Sequence, residues 1–173
     1  VQSGVGLTGK FWAHQHFDVL PDLLCFGKKT QVCGVLAAAR LDEVKDNVFT
    51  EPSRINSTFG GNLIDMVRCS AILKIIEKEK LVDNARLRGE ELLKGLEDLC
   101  MEFPAFLSNA RGRGLMCAFD LSDTAARDTF RKKLLEEKLL VIGCGRRSIR
   151  LRPHLVINAE EIQFILDIIR KIP

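Results

Sequence analysis

The hydrophobic pattern of the chain changes character at Leu63, and that change sets what the chain can fold into. Before it, glycines stand at 4, 6, 9, 27, 34, 60 and 61 and apolar residues come in short bounded runs; after it, they recur at helical spacing. Leu63, Met66, Val67, Ser70, Leu73 and Ile76 form one stripe and predict a helix to about Lys80, closed by the charged run Glu77-Lys78-Glu79-Lys80. A second helix is predicted from Val82 to about Met101. Leu92, Leu93, Leu96, Leu99 and Cys100 mark its face, and Phe103-Pro104 stops it because proline cannot continue the ladder. Leu115–Leu121, after Gly112-Arg113-Gly114, reads as a buried strand. Asp123 is expected to cap a helix over Thr124–Lys138. Short strands are expected at Leu139–Ile142 and Ser148–Leu151 around a turn at Gly143–Gly145. Asn158 with Glu161 three residues on signals a boxed start to a last helix, which buries Ile162, Ile165, Leu166 and Ile169. This alternation predicts an α/β domain from residue 63 to the end. Upstream, strands are expected near Leu23–Phe26 and Gly34–Ala38, among loops where chemistry concentrates.

At 173 residues the chain can bury one sizeable core, or hold one domain and part of another. With 46% hydrophobic and 28% charged residues it reads as an ordinary globular protein. The net charge of +3 comes from interspersed signs, which gives a nucleic acid little to bind. No apolar run approaches the length of a bilayer span, and no signal-peptide pattern is present. Cys25, Cys33, Cys69, Cys100, Cys117 and Cys144 are dispersed, without a C-x-x-C pair; they are expected to be buried free thiols in a reducing compartment, best the cytoplasm. His14 and His16 lack partners at ligand spacing, so no metal site is expected, and with Trp12 they are expected to pack near a pocket entrance.

Within the loop-rich part, Phe26-Gly27-Lys28-Lys29-Thr30-Gln31 puts lysines directly behind an apolar strand that would carry an amine to a pocket mouth. Such an amine suits Schiff-base chemistry on a carbonyl; the plain alternative is two solvated surface lysines. Three further segments accompany it: Val1-Gln2-Ser3-Gly4-Val5-Gly6-Leu7-Thr8-Gly9-Lys10, Asn56-Ser57-Thr58-Phe59-Gly60-Gly61-Asn62, and Ser148-Ile149-Arg150-Leu151-Arg152-Pro153. In combination the four resemble the C-terminal part of class III (omega) aminotransferases of pyridoxal-phosphate fold type I. Phe26 to Gly34, with Asp46-Asn47-Val48-Phe49, resembles the lysine-epsilon (L-lysine 6-transaminase) branch more than the ornithine or 4-aminobutyrate branches.

The resemblance implies the end of a large cofactor-binding domain over residues 1–62 and a C-terminal small α/β domain over 63–173. It implies pyridoxal 5'-phosphate as cofactor, L-lysine and 2-oxoglutarate as substrates, a homodimer, and transfer of the terminal amino group of lysine. Lys28, which follows the glycine, would carry the cofactor as a Schiff base and move the substrate proton when displaced; Lys29 is the rival. Val1 would pack on a face of the pyridine ring, and Gln2 would hydrogen-bond near its phenolic oxygen. Thr58 would offer its hydroxyl and N–H to the phosphate across the dimer, the local alternative being a cap region before Leu63. Arg150 would hold a substrate carboxylate bidentately, with Arg152 structural. The family's Asp-Glu pair immediately before Val-Gln has no counterpart here, and its Asp keeps the pyridine nitrogen protonated. The chain is therefore expected to be a fragment of a longer enzyme, incomplete for catalysis alone. The other readings are a non-catalytic dimerisation module and a basic nucleic-acid binder, the latter resting only on mild positive charge.

Overall fold

The computed structural model describes all 173 residues. A hairpin of β1 (Leu23–Phe26) and β2 (Gly34–Ala37) comes first, then α1 (Leu63–Lys78) and α2 (Leu81–Glu102). They are followed by β3 (Ser108–Arg113), β4 (Met116–Asp120), α3 (Thr124–Glu136), β5 (Ile142–Cys144), β6 (Ser148–Leu151) and α4 (Ala159–Arg170). The last four strands form one antiparallel sheet in the order β3-β4-β6-β5. Helix α2 packs along β3 and β4 and against α4, while α3 lies against β5 and β6. The apolar core between them joins Leu92, Leu96 and Leu99 of α2, Phe119 of β4, Ile149 of β6 and Ile169 of α4. Each such side chain contributes about 1.5–3 kcal/mol relative to exposure.

Local chemistry sets the helix ends. Asn62 accepts from the N–H groups of Ile64 and Asp65 to start α1, and Asp123 accepts from Ala126 to start α3. Asn158 and Glu161 complete a reciprocal capping box at α4, where Ile162, Ile165, Leu166 and Ile169 are all buried. Phe103 ends α2 just before Pro104, as the proline requires.

Two expectations need correction, the strand at Leu139–Ile142 and the buried cysteines, and two features lie outside any expectation, strand β3 and the exposed face of α1. Strand β3 was not anticipated: Ser-Asn-Ala-Arg-Gly-Arg is polar because it is an edge strand, bulged between Ser108 and Arg111 and paired only with β4. The strand expected at Leu139–Ile142 begins instead at Ile142, and its turn shifts to residues 145–147. The displacement follows from the end of α3. There Lys138 adopts φ 68, Leu139 N–H donates to Leu134 O at 2.8 Å and Lys138 N–H to Leu135 O at 3.0 Å, so the intervening apolar residues serve a helix stop. The stripe on α1 exists but does not face the core: Leu63 is 76% and Val67 71% exposed, and only Ile76 is buried. Helices α2 to α4 already close the sheet's core without it. Finally, of the six free cysteines only Cys117 is buried; Cys25, Cys33 and Cys144 are exposed, because they lie on or beside a thin hairpin and an edge strand.

Candidate active site

Residues 1–9 form a series of turns laid onto α2 and the β3–β4 turn. Contact there is backbone to backbone. A Cβ on Gly114, which has φ 53, would stand 2.5 Å from the carbonyl carbon of Thr8, and one on Gly89 would stand 2.1 Å from the carbonyl carbon of Gly114. Leu115 N–H donates to Leu7 O at 2.9 Å, and Val5 and Leu7 are buried beneath. The segment is thereby fixed, and it presents Gln2 to the sheet.

Strand β6 supplies Arg150, paired with Ala118 on one side and Ile142 on the other. Arg150 Nη1 donates to Gln2 Oε1 at 3.1 Å, while its Nε is buried without a partner. A guanidinium only donates, so the amide oxygen of Gln2 must face it, leaving the Gln2 Nε2 group as an unused donor. Both residues line a cleft of about 390 Å³ with Leu140, Ile142, Arg152 and Pro153.

The lysine-bearing turn joins β1 to β2, whose register runs from Leu23↔Ala37 to Phe26↔Gly34. It is a single 3-10 turn over Lys28–Thr30, closed by Gln31 N–H to Lys28 O at 3.0 Å and anchored by buried Thr30, whose hydroxyl donates to Val32 O at 2.6 Å. Lys28 is exposed and held at φ 61, a left-handed conformation that costs a non-glycine residue on the order of 1 kcal/mol. Its neighbour Lys29 is half-buried and donates from Nζ to the main-chain oxygen of Gln2 at 2.9 Å. Burial, and then the charge of Arg152, lower the Lys29 pKa to about 8. Gln2 is therefore gripped twice, by its main chain from the lysine turn and by its side chain from the sheet.

The structure thus brings Gln2 and Arg150 into contact and sets Lys28 one residue from a lysine bonded to Gln2. Val1 stands beside Gln2, 51% exposed. Thr58 is exposed on the loop before α1, and no hydrogen bond joins it to the other four; the α1 cap is Asn62. His16 bonds Thr8 O at 3.0 Å and His14 bonds Val19 O at 2.8 Å, so both serve local loop structure. Trp12 lines a separate apolar cleft of about 410 Å³ with Phe11, Phe26, Met66 and Leu73.

Sequence reasoning missed the bond from Lys29 to Gln2 and a polar cluster around Asp120. Burial would raise the Asp120 pKa, but bonds from Ser148 at 2.6 Å, Asn109 at 2.9 Å and Arg111 at 2.9 Å hold it down to about 2. Ser148 faces Asp120 in the ladder, so this cluster anchors the start of the strand that carries Arg150. The one available signal was an Asp near the end of the apolar run Leu115–Leu121.

Comparison with known proteins follows the same segments. A profile of the family described as Aminotransferase class-III matches residues 1–172. The L-lysine-epsilon aminotransferase of Mycobacterium tuberculosis (strain ATCC 25618 / H37Rv) is 50% identical over 170 residues, which is 98% of this chain and 38% of that protein. The mitochondrial 4-aminobutyrate aminotransferase of Homo sapiens is 37% identical over 174 residues, 97% of this chain and 33% of that protein. A solved structure of lysine aminotransferase from M. tuberculosis in the internal aldimine form superposes with a TM-score of 0.96 at 49% identity. It covers 99% of this chain and 40% of that one. The chain therefore spans well under half the length of the relatives it matches.

Proposed function

The chain belongs to the class-III aminotransferases, and on that premise we propose that the protein it forms part of moves the terminal amino group of L-lysine to 2-oxoglutarate with pyridoxal 5'-phosphate. The observation that carries this reading is the convergence on Gln2, where the turn of Lys28 and the strand of Arg150 meet through one residue. Amino transfer needs a lysine amine at the reacting carbon and a cation for the carboxylate beside it. The higher identity to the relative named for lysine than to the one named for 4-aminobutyrate favours lysine as donor.

The cofactor, when bound, supplies the electron sink for the carbanion left by deprotonation. The donors in place suit such an oxygen-rich, anionic group: the unused Nε2 of Gln2 for the phenolic oxygen, and the guanidinium of Arg150, which lines the same cleft, for a substrate carboxylate. Val1, half exposed beside Gln2, packs on the ring; Thr58, exposed before α1, serves the phosphate of the partner protomer in a homodimer. Lys28 would hold the cofactor through its Nζ and, when displaced, supply the base at the substrate carbon; its backbone is set at φ 61 by a turn closed by the bond from Gln31 N–H to Lys28 O. Arg150 holds the acceptor's carboxylate, which adjoins the reacting carbon of 2-oxoglutarate, whereas lysine carries its carboxylate far from the transferred amine. On this reading residues 1–62 complete the large cofactor-binding domain and residues 63–173 form the small domain. No helix is long and apolar enough to cross a membrane.

The test is a donor comparison with the full-length enzyme, 2-oxoglutarate as acceptor, and L-lysine, L-ornithine and 4-aminobutyrate in turn. The reading predicts the highest kcat/KM for L-lysine, with the 6-semialdehyde as product. A preference of about tenfold or more for either of the others would assign the chain to that branch instead.

A further inference from the structure

We infer that Lys29 is a positioning residue for the acceptor half of the reaction, locking the turn that carries Lys28 to the strand that carries Arg150 through Gln2, whose main chain it holds and whose side chain meets the arginine. The inference rests on the roles given above to Lys28 and Arg150. Its basis is connectivity. The bond from Lys29 Nζ to Gln2 O, 2.9 Å long, spans 27 positions, and no other hydrogen bond or ion pair joins residues 27–33 to residues 1–12 or to β6. Gln31 reaches α1 through Arg68 instead. The remaining link, Arg150 Nη1 to Gln2 Oε1, completes a path from the lysine turn to the guanidinium.

The environment of Lys29 fits this role better than that of a solvated surface lysine. The side chain is half-buried and Arg152, a second cation, lies near it, so an ammonium there is held at a cost that a neutral side chain would spare. The group facing it is a main-chain carbonyl, and no carboxylate forms a salt bridge with it. Charge-assisted donation to that carbonyl compensates the cost and fixes Gln2. With Gln2 fixed, the backbone of the turn that carries Lys28 is tied to the Arg150 guanidinium. That tie matters when the carboxylate adjoins the reacting carbon, as in 2-oxoglutarate, and matters little for the terminal amine of lysine.

The test measures the two half-reactions separately, by single turnover in the full-length enzyme, for Lys29→Met, Gln2→Ala and the double variant, with borohydride reduction and peptide mass spectrometry to locate the cofactor. Lys29→Met is expected to keep the cofactor on Lys28 and to slow the 2-oxoglutarate half-reaction at limiting substrate by about 10-fold, the scale of one charge-assisted hydrogen bond. The L-lysine half-reaction is expected to change less than about 3-fold. In the Gln2→Ala background the second substitution should add almost nothing, because the path to Arg150 is already cut. Equal losses in both half-reactions, with the cofactor still on Lys28, would overturn the inference alone. Cofactor found on Lys29 would overturn it together with the site reading. If Lys29→Met does not fold, Lys29→Gln, shorter and uncharged, is read by the same ratio.

Discussion

Arg150 and Gln2, 148 positions apart, are joined by a 3.1 Å hydrogen bond in which the arginine occupies the amide oxygen and leaves the amide N–H₂ unpaired. One residue is thus held by the guanidinium and still keeps a donor in reserve. Arg150→Lys should therefore be a severe change. An ammonium cannot fork onto a carboxylate, and the KM for 2-oxoglutarate in the full-length enzyme should rise about 10- to 100-fold while the rate with saturating L-lysine in its own half-reaction changes little. Steady-state kinetics with each substrate varied checks this.

Asp120 should be a stability residue and not a catalytic one. Its folded pKa, about 2, lies below the ordinary 3.8, so its contribution is full above about pH 3.8 and is lost as the pH falls through about 2. Asp120→Ala leaves the Ser148 and Asn109 donors without their acceptor and should cost about 2 kcal/mol at neutral pH. Urea unfolding from pH 7 down to pH 2 should show the gap between the two proteins closing as the pH falls.

Lys29 should leave its own mark at high pH. Its folded pKa, about 8, lies below the ordinary 10.5, so between those values the unfolded chain binds more protons at this position than the folded chain does. Folded stability relative to Lys29→Met should therefore rise with pH across that window. Unfolding curves of both proteins at pH 7.5, 9 and 10.5, values set by that window, give the sign, and a falling difference would contradict it.

How much of this was legible in the sequence depends on the range of the interaction. Helices α2 and α4 could be read because caps, proline and apolar spacing act within a turn or two of chain: Asn158 with Glu161, Phe103 with Pro104. Strand β3 could not, since its polar residues are ordered by pairing with β4 and carry no period of their own. The α1 stripe was read correctly as a stripe, but its burial depends on what packs against it. At the site, motif resemblance pointed to Gln2, Lys28 and Arg150, and of these the fold joins Gln2 and Arg150 by a hydrogen bond. The bond from Lys29 to Gln2 stayed hidden, because a main-chain carbonyl is a partner that no side-chain pattern announces.

Gly114 should be the residue on which the placement of Gln2 turns. With φ 53 and a Cβ position 2.5 Å from the Thr8 carbonyl carbon, Gly114→Ala forces the first segment off the β3–β4 turn. A loss of about 3 kcal/mol is expected. Amide hydrogen exchange should show the Leu115 N–H, bonded to Leu7 O at 2.9 Å, exchanging faster while the amides of α4 are slowed as before.

The most direct test of the account is where the cofactor attaches. Full-length enzyme loaded with pyridoxal phosphate, reduced with borohydride and digested should yield one modified peptide with the label on Lys28, and Lys28→Ala should yield none. Label on Lys29, or label scattered over surface lysines in the unaltered enzyme and unchanged in Lys28→Ala, would contradict it.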